Sequence, residues 1–255
     1  MKIGCQTITF GNEMHKTDWR GVIKAVAQAG YEGMEVGFFR LDINEAENYK
    51  AFQAENGIAQ AAIHIGGDFN DAKSVQMQFE NLPNLMKLAH ILCCEHIFLS
   101  GSPANAQTDY KLVCENINKL GKTLSEDGLF LSYHNHDWEA KNNCFGLYSL
   151  CDNTDPEYLS FVVDVGWVTQ GGADPAAVLA RLGNRVSSLH FKEFTPEGKF
   201  TELGCGIVDF AGTLKAAKAI NQRKNFWIIA EQDASEIGAA ESVAQNYAYI
   251  KKILS

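Results

Sequence analysis

Apolar runs rich in β-branched residues alternate along this chain with stretches of helical period. The alternation repeats eight times in 255 residues, so each unit takes about 32 residues, the size of a strand–helix unit. No linker, low-complexity tract or break in composition interrupts the series. These three observations predict an α/β fold of one domain, residues 1–255: a closed (β/α)8 barrel of the TIM type. An open, doubly wound sheet is the alternative for alternating strands and helices. Even spacing argues against it, as does the spread of polar strand-end residues over at least six strands.

The first strand is 2–6 (KIGCQ). A helix over 18–29 follows, with Val22, Val26 and Ala29 on one face and Gly30 as its terminator. Strands at 32–36 and 58–64 come next. A long helix over 71–91 contains Leu82-Pro83, which is expected to kink or split it. A strand at 95–100 leads to a helix over 108–127 carrying Leu112, Ile117, Leu120 and Leu124. Strands at 129–134 and 159–164 precede a helix started by Asp174-Pro175, an N-cap followed by a first-turn proline. A strand at 186–191, a helix over 210–221 capped by Asp209, a strand at 226–231 and a helix over 239–253 complete the series.

Composition excludes several classes of function. Net charge is −9, from 22 basic and 31 acidic residues, so a phosphate backbone is repelled and nucleic acid is not an expected partner. No apolar run approaches the ~20 residues of a membrane span. The first residues read as a strand, with none of the marks of a signal peptide. The seven cysteines include no Cys-x-x-Cys pair, so neither a disulfide framework nor a structural zinc pattern is present. Reduced cysteines point to the cytoplasm. Cys5 and Cys205 are read as small packing residues. Arg181, Arg185 and Arg223 fall in or beside helices and form no phosphate pocket.

The chemistry gathers where strands end. In a parallel barrel the C-terminal strand ends converge on one mouth, so residues about 100 positions apart can share one ion. Most strands here end in a polar residue: Gln6, Glu35, His64, Ser100, His134, Asp164, His190 and Glu231. Asp164 follows Phe161-Val162-Val163, His190 follows Ser188-Leu189, and Glu231 follows Ile228-Ile229-Ala230. An acid at the end of a buried strand must be paired or metal-bound. Two acids with an imidazole suit a divalent metal. In Tyr133-His134-Asn135-His136-Asp137-Trp138-Glu139, His134 and His136 share one face of an extended backbone. Either serves as a ligand, as a general acid or base, or as half of a substrate clamp. Glu139 could fold back as a further ligand. Lys192, two residues past His190, suits an oxyanion or a substrate carboxylate. Gly204-Cys205-Gly206 is only a weak phosphate signal, and dinucleotide, Walker and nucleophile-elbow motifs are absent.

These motifs resemble the sugar isomerase/epimerase superfamily with the xylose isomerase-like barrel, and within it the inosose dehydratase-like branch. The matching pieces are Tyr-His-Asn-His-Asp-Trp-Glu (133–139), Asp-Val-Gly-Trp-Val (164–168), Gly-Ala-Asp-Pro (172–175), Leu-His-Phe-Lys-Glu (189–193), Gly-Cys-Gly-Ile-Val-Asp-Phe (204–210) and Ala-Glu-Gln-Asp (230–233). The resemblance implies one divalent ion, manganese, cobalt, magnesium or zinc. Asp164, His190 and Glu231 would be ligands. Many relatives have a glutamate ligand where His134 stands, and Glu139 is expected to take that role here. Trp167 stands where many relatives have a histidine, and its ring is expected to stack on a sugar face. Gln6, Glu35, His64, His134 and Lys192 are the other expected substrate contacts.

The implied activity is proton abstraction next to the carbonyl of a keto sugar or cyclitol. Glu139 or Glu231 removes the proton, and the opposite acid or His136 returns it, giving isomerisation or epimerisation. Loss of a β-hydroxyl from the same intermediate gives a dehydratase or lyase. A non-catalytic sugar-binding barrel is the alternative from another class. Such barrels often pair through loops at the mouth, so a homodimer is one expected assembly.

Overall fold

The computed structural model describes residues 1–101, 103–104, 107–220 and 226–255. Eight parallel strands close into a barrel. They are β1 (Lys2–Gln6), β2 (Gly33–Gly37), β3 (Ala59–Gly67), β4 (His96–Gly101), β5 (Phe130–His134), β6 (Ser160–Asp164), β7 (Val186–Phe191) and, after a hairpin of β8 (Glu193–Phe194) and β9 (Phe200–Thr201), β10 (Trp227–Ala230). Closure pairs β10 with β1 through Lys2↔Trp227 to Cys5↔Ala230. The predicted barrel is therefore present, and every predicted strand is matched to within a few residues.

Helices α1 (Gly11–Thr17), α2 (Trp19–Ala29), α3 (Ala46–Glu55), α4 (Ala72–Ile91), α5 (Tyr110–Glu126), α6 (Asp137–Asn153), α7 (Val165–Gln170), α8 (Pro175–Leu182), α9 (Phe210–Ala219) and α10 (Ala239–Leu254) surround the sheet. Asp18, Asp71, Asp109, Asp174 and Asp209 each accept a first-turn amide hydrogen, the N-cap bond their position promises. Gly30 ends α2 in the left-handed conformation, φ +105°. Pro83 does not split α4, which runs unbroken across it. The buried face of Leu82, Leu85, Leu88 and Ala89 holds this helix to the barrel. The far end of the helix predicted over 210–221, and Arg223, lie outside the described residues.

Strand pleating decides which side chains enter the barrel. On β10, Ile228 and Ala230 join the large core between sheet and helices, while Trp227 and Ile229 pack with Phe98 and Val162 in a separate interior cluster. That cluster closes the barrel below the mouth. The next position in the same phase on each strand is the polar strand-end residue. No helix among the described residues is long and apolar enough to cross a membrane.

Candidate metal centre

Four of those strand-end residues meet. His134, Asp164, His190 and Glu231 each place a ligand atom within 4.8 Å of the others, and all four side chains are buried. They come from β5, β6, β7 and the residue after β10, neighbours in the sheet. Glu231 Oε2 is the hub, 2.5 Å from His190 Nδ1 and 3.1 Å from His134 Nε2. Asp164 Oδ2 lies 3.4 Å from His134 Nε2.

The turn after β6 holds Asp164 in place. Asp164 Oδ1 accepts the Trp167 amide at 2.8 Å, and Asn135 clamps the Asp164 backbone with one bond to its amide and one to its carbonyl. Gly166 is required here, because a Cβ would run into the Lys192 carbonyl oxygen and main chain. Gly166→Ala is expected to cost roughly 1–3 kcal/mol by overpacking. A melting temperature equal to that of the wild type would contradict this.

Lys192 is 1% exposed and brings the only ammonium among the described residues into the group. Its Nζ donates to Asp233 Oδ2 at 2.7 Å and lies 3.3 Å from Glu231 Oε1 and 3.6 Å from Asp164 Oδ2. Burial disfavours its charge, but Glu231, Asp164 and Asp233 more than reverse this and hold it ionised. Burial likewise pushes the Glu35 carboxyl up, yet His190 and His64 hold it at about 2. His190 is the counterpart: burial lowers it, and Glu35 and Glu231 raise it to about 10.

Asp164 Oδ2 has no hydrogen-bond partner among the described residues, although it is buried. The Lys192 ammonium at 3.6 Å and His134 Nε2 at 3.4 Å offset its charge without making a hydrogen bond, so the oxygen keeps its lone pairs for a cation. Two carboxylates and two imidazoles around such an oxygen make a donor set that manganese, cobalt or zinc accepts. The residues therefore fit the ion.

Glu139 is not brought into this group. Its Oε1 accepts from Tyr133 Oη at 2.7 Å and from Trp138 Nε1 at 2.5 Å, and its Oε2 accepts the His136 amide at 2.7 Å. Tyr133 precedes His134 and so points out of the barrel, and Glu139 follows it there. Burial raises Glu139 to about 7 despite these donors. His134 stands in the group instead.

The other expected residues divide. His136 stands beside the group, its ring 5.1 Å from that of His134 and stacked on Trp138 at 4.2 Å. Burial, then the neighbouring His134 and Lys192, push it down to about 2, so its ring is neutral. Its Nδ1 has no hydrogen bond among the described residues. Trp167 packs on Phe194 and Phe200, with Lys192 Nζ 4.7 Å from its ring centre. Gln6 instead turns its Oε1 to the Ile8 amide at 2.5 Å. Glu35 and His64 pair with each other at 2.6 Å next to the group. Ser100, one of the expected polar strand ends, lies beside the group, and Asn135 and Asp233 are parts of the site that residue types alone did not single out. Phase was the available signal, since Ser100 ends β4 in register with His134 and Asp233 follows Glu231 by two.

Known proteins share this architecture. The inosose dehydratase of Geobacillus kaustophilus is 25% identical over 267 residues, covering 90% of this chain and 83% of that protein. The chain spans about 56% of the length of the inosose dehydratases from Salmonella agona and Salmonella typhimurium, at 26% identity. A sugar phosphate isomerase/epimerase from Parabacteroides distasonis superposes with a TM-score of 0.79 at 21% identity, covering 98% of this chain and 95% of the other. The IOLI protein, whose structure carries a zinc atom, superposes at 0.80 with 14% identity and covers 100% and 98%. At these identities the superpositions speak for the fold. The family description "xylose isomerase-like TIM barrel" matches residues 23–253, nearly the whole length, and the chain belongs to that family.

Proposed function

We propose that this chain is a divalent-metal-dependent isomerase or epimerase that removes a proton next to the carbonyl of a keto sugar or cyclitol. The convergence of His134, Asp164, His190 and Glu231 carries the reading. When bound, a divalent ion supplies Lewis acidity toward a carbonyl oxygen and its neighbouring hydroxyl. Glu231, on the β10 side, takes the proton from the carbon. His136, on the β5 side, is a neutral ring held far from protonation, so it hydrogen-bonds the substrate, and the proton returns from Glu231 or from water on the β5 side. The Lys192 ammonium faces the developing oxyanion. His136, Trp138, Trp167 and Phe200 offer aromatic faces to the sugar ring. Return of the proton to the opposite face gives an epimer, and return to the adjacent carbon an isomer.

The named relatives favour a second reading. Inosose dehydratases match across most of the chain, and loss of a β-hydroxyl would follow from the same proton abstraction. The experiment is incubation of candidate keto sugars and keto-inositols in deuterium oxide with manganese. Deuterium in recovered substrate or isomer supports the first reading, and an unsaturated product supports the second. A protein that holds the ion and the sugar but exchanges no proton would be a binding barrel.

The metal set has its own test. Glu139→Gln is expected to keep one ion per chain, while His134→Ala is expected to bind it about tenfold or more weakly. Elemental analysis and titration with a chelating indicator measure both. The reverse pattern would return the fourth position to Glu139.

A further inference from the structure

We propose that a cavity among the helices outside the sheet, walled by α1, α3 and α4, is a second ligand site that takes a small carboxylate with an apolar body. The cavity measures about 270 Å³, and its residues come from helices and turns, none from a strand. None belongs to the candidate metal centre or to the expected substrate contacts, so the proposal does not rest on the metal reading. Trp19, Tyr49, Leu88 and Leu92 make its apolar side, and the last three are buried. Phe39 stands at the rim, 70% exposed, where an apolar ligand would cover it. A dry cavity of about 150 Å³ holds benzene, so this one has room for a ring and a short acid chain.

Uncompensated charge decides the sign of the ligand. Lys16 and Arg40 line the cavity, and neither pairs with an acid among the described residues. Arg40 is half-buried and donates its Nε–H to Asn12 Oδ1 at 2.8 Å, while its two Nη groups make no hydrogen bond among the described residues. Burial opposes its charge, and no carboxylate offsets the cost. A guanidinium engaged only at Nε still offers the end-on pair of N–H groups that a carboxylate accepts in two parallel bonds. The two acids of the wall are engaged elsewhere. Asp42 Oδ1 accepts from the Asn44 amide at 2.9 Å and from Asn44 Nδ2 at 3.0 Å, and Glu45 Oε2 accepts from Asn48 Nδ2 at 3.1 Å. Both acids are exposed, so water screens them. His15 is buried in the wall with Nε2 3.0 Å from the Thr7 carbonyl oxygen; burial lowers its pKa, Arg40 lowers it further, and it adds no charge at pH 7.

The test titrates the full-length, chelator-treated protein with 3-(4-fluorophenyl)propanoate, followed by fluorine NMR, and with 3-(4-fluorophenyl)propan-1-ol as the uncharged match. The acid should bind at one site per chain, and the alcohol about tenfold or more weakly, as the loss of a charge-assisted pair requires. Arg40→Gln should weaken the acid about 10- to 100-fold and leave the alcohol unchanged. Ala46→Leu, which fills the buried side of the cavity, should abolish binding of both. Melting curves show whether each variant is folded, and Arg40→Gln, at a half-exposed position, decides the matter if Ala46→Leu is not. His134→Ala should bind the acid as the wild type does. No saturable binding up to about 10 mM acid, ten times a Kd of about 1 mM, overturns the site. Acid and alcohol that bind alike, or acid binding that survives Arg40→Gln, overturn the carboxylate assignment. Acid binding lost in His134→Ala and kept in Arg40→Gln places the ligand at the metal centre and overturns the second site.

Discussion

Glu231→Gln is expected to lose its ion and to lose turnover by roughly ten-thousand-fold, the upper range for removing a general base. Glu231 joins three side chains of the site: His190 at 2.5 Å, His134 at 3.1 Å and Lys192 at 3.3 Å. Burial opposes its charge, but Lys192, His134 and His190 hold it ionised well below the usual carboxylate range. Glutamine keeps the shape but not the charge. Its amide nitrogen would face imidazole or ammonium donors and leave a buried group unpaired. Base and ligand would disappear together. Elemental analysis and the rate of solvent deuterium exchange check the two losses separately. One ion per chain with wild-type exchange would remove Glu231 from the mechanism.

Lys192→Met is expected to show the second large effect, and the effect should depend on the ion. In the metal-free protein the substitution leaves Asp164, Glu231 and Asp233 without their shared ammonium. Breaking a buried ionic cluster by removing one partner costs about 3–5 kcal/mol, which lowers melting by roughly 10 °C in a chain of this length. Manganese should narrow the gap, because two positive charges among the same carboxylates take over the neutralising task. Turnover should stay low in the loaded variant, since the ammonium that faces the oxyanion is gone. Differential scanning calorimetry with and without manganese reads the first part. A gap that manganese leaves unchanged would place the ion away from Asp164 and Glu231.

Much of the site was legible from the sequence because a strand has a period of two. Asp164, His190 and Glu231 each close an apolar run, and a buried strand that ends in a ligand type is a strong local signal. Their meeting followed from barrel closure alone. The fate of Glu139 was not legible. Spacing leaves a residue five positions past a strand free to fold either way, and its partners Tyr133, Trp138 and the His136 amide become known only with three-dimensional contacts. Gln6 shows the same limit, since its strand-end position is right but its side chain serves a local turn. Helix α3 gave a poor signal because polar Gln53 occupies its buried face and bonds Gln60. The six residues of α7 are too few to show a period.

All four donor residues lie on β5, β6, β7 and just past β10, which adjoin in the wall, while Glu35, His64 and Ser100 belong to the first half of the chain. During synthesis that half leaves the ribosome first and the four grouped residues last, with Glu231 the final arrival. An ion captured early, before β10 has docked on β1, would meet at most three of its donors. The grouping of all four residues and ring closure are thus completed by the same strand, and an ion held by all four would report a finished barrel.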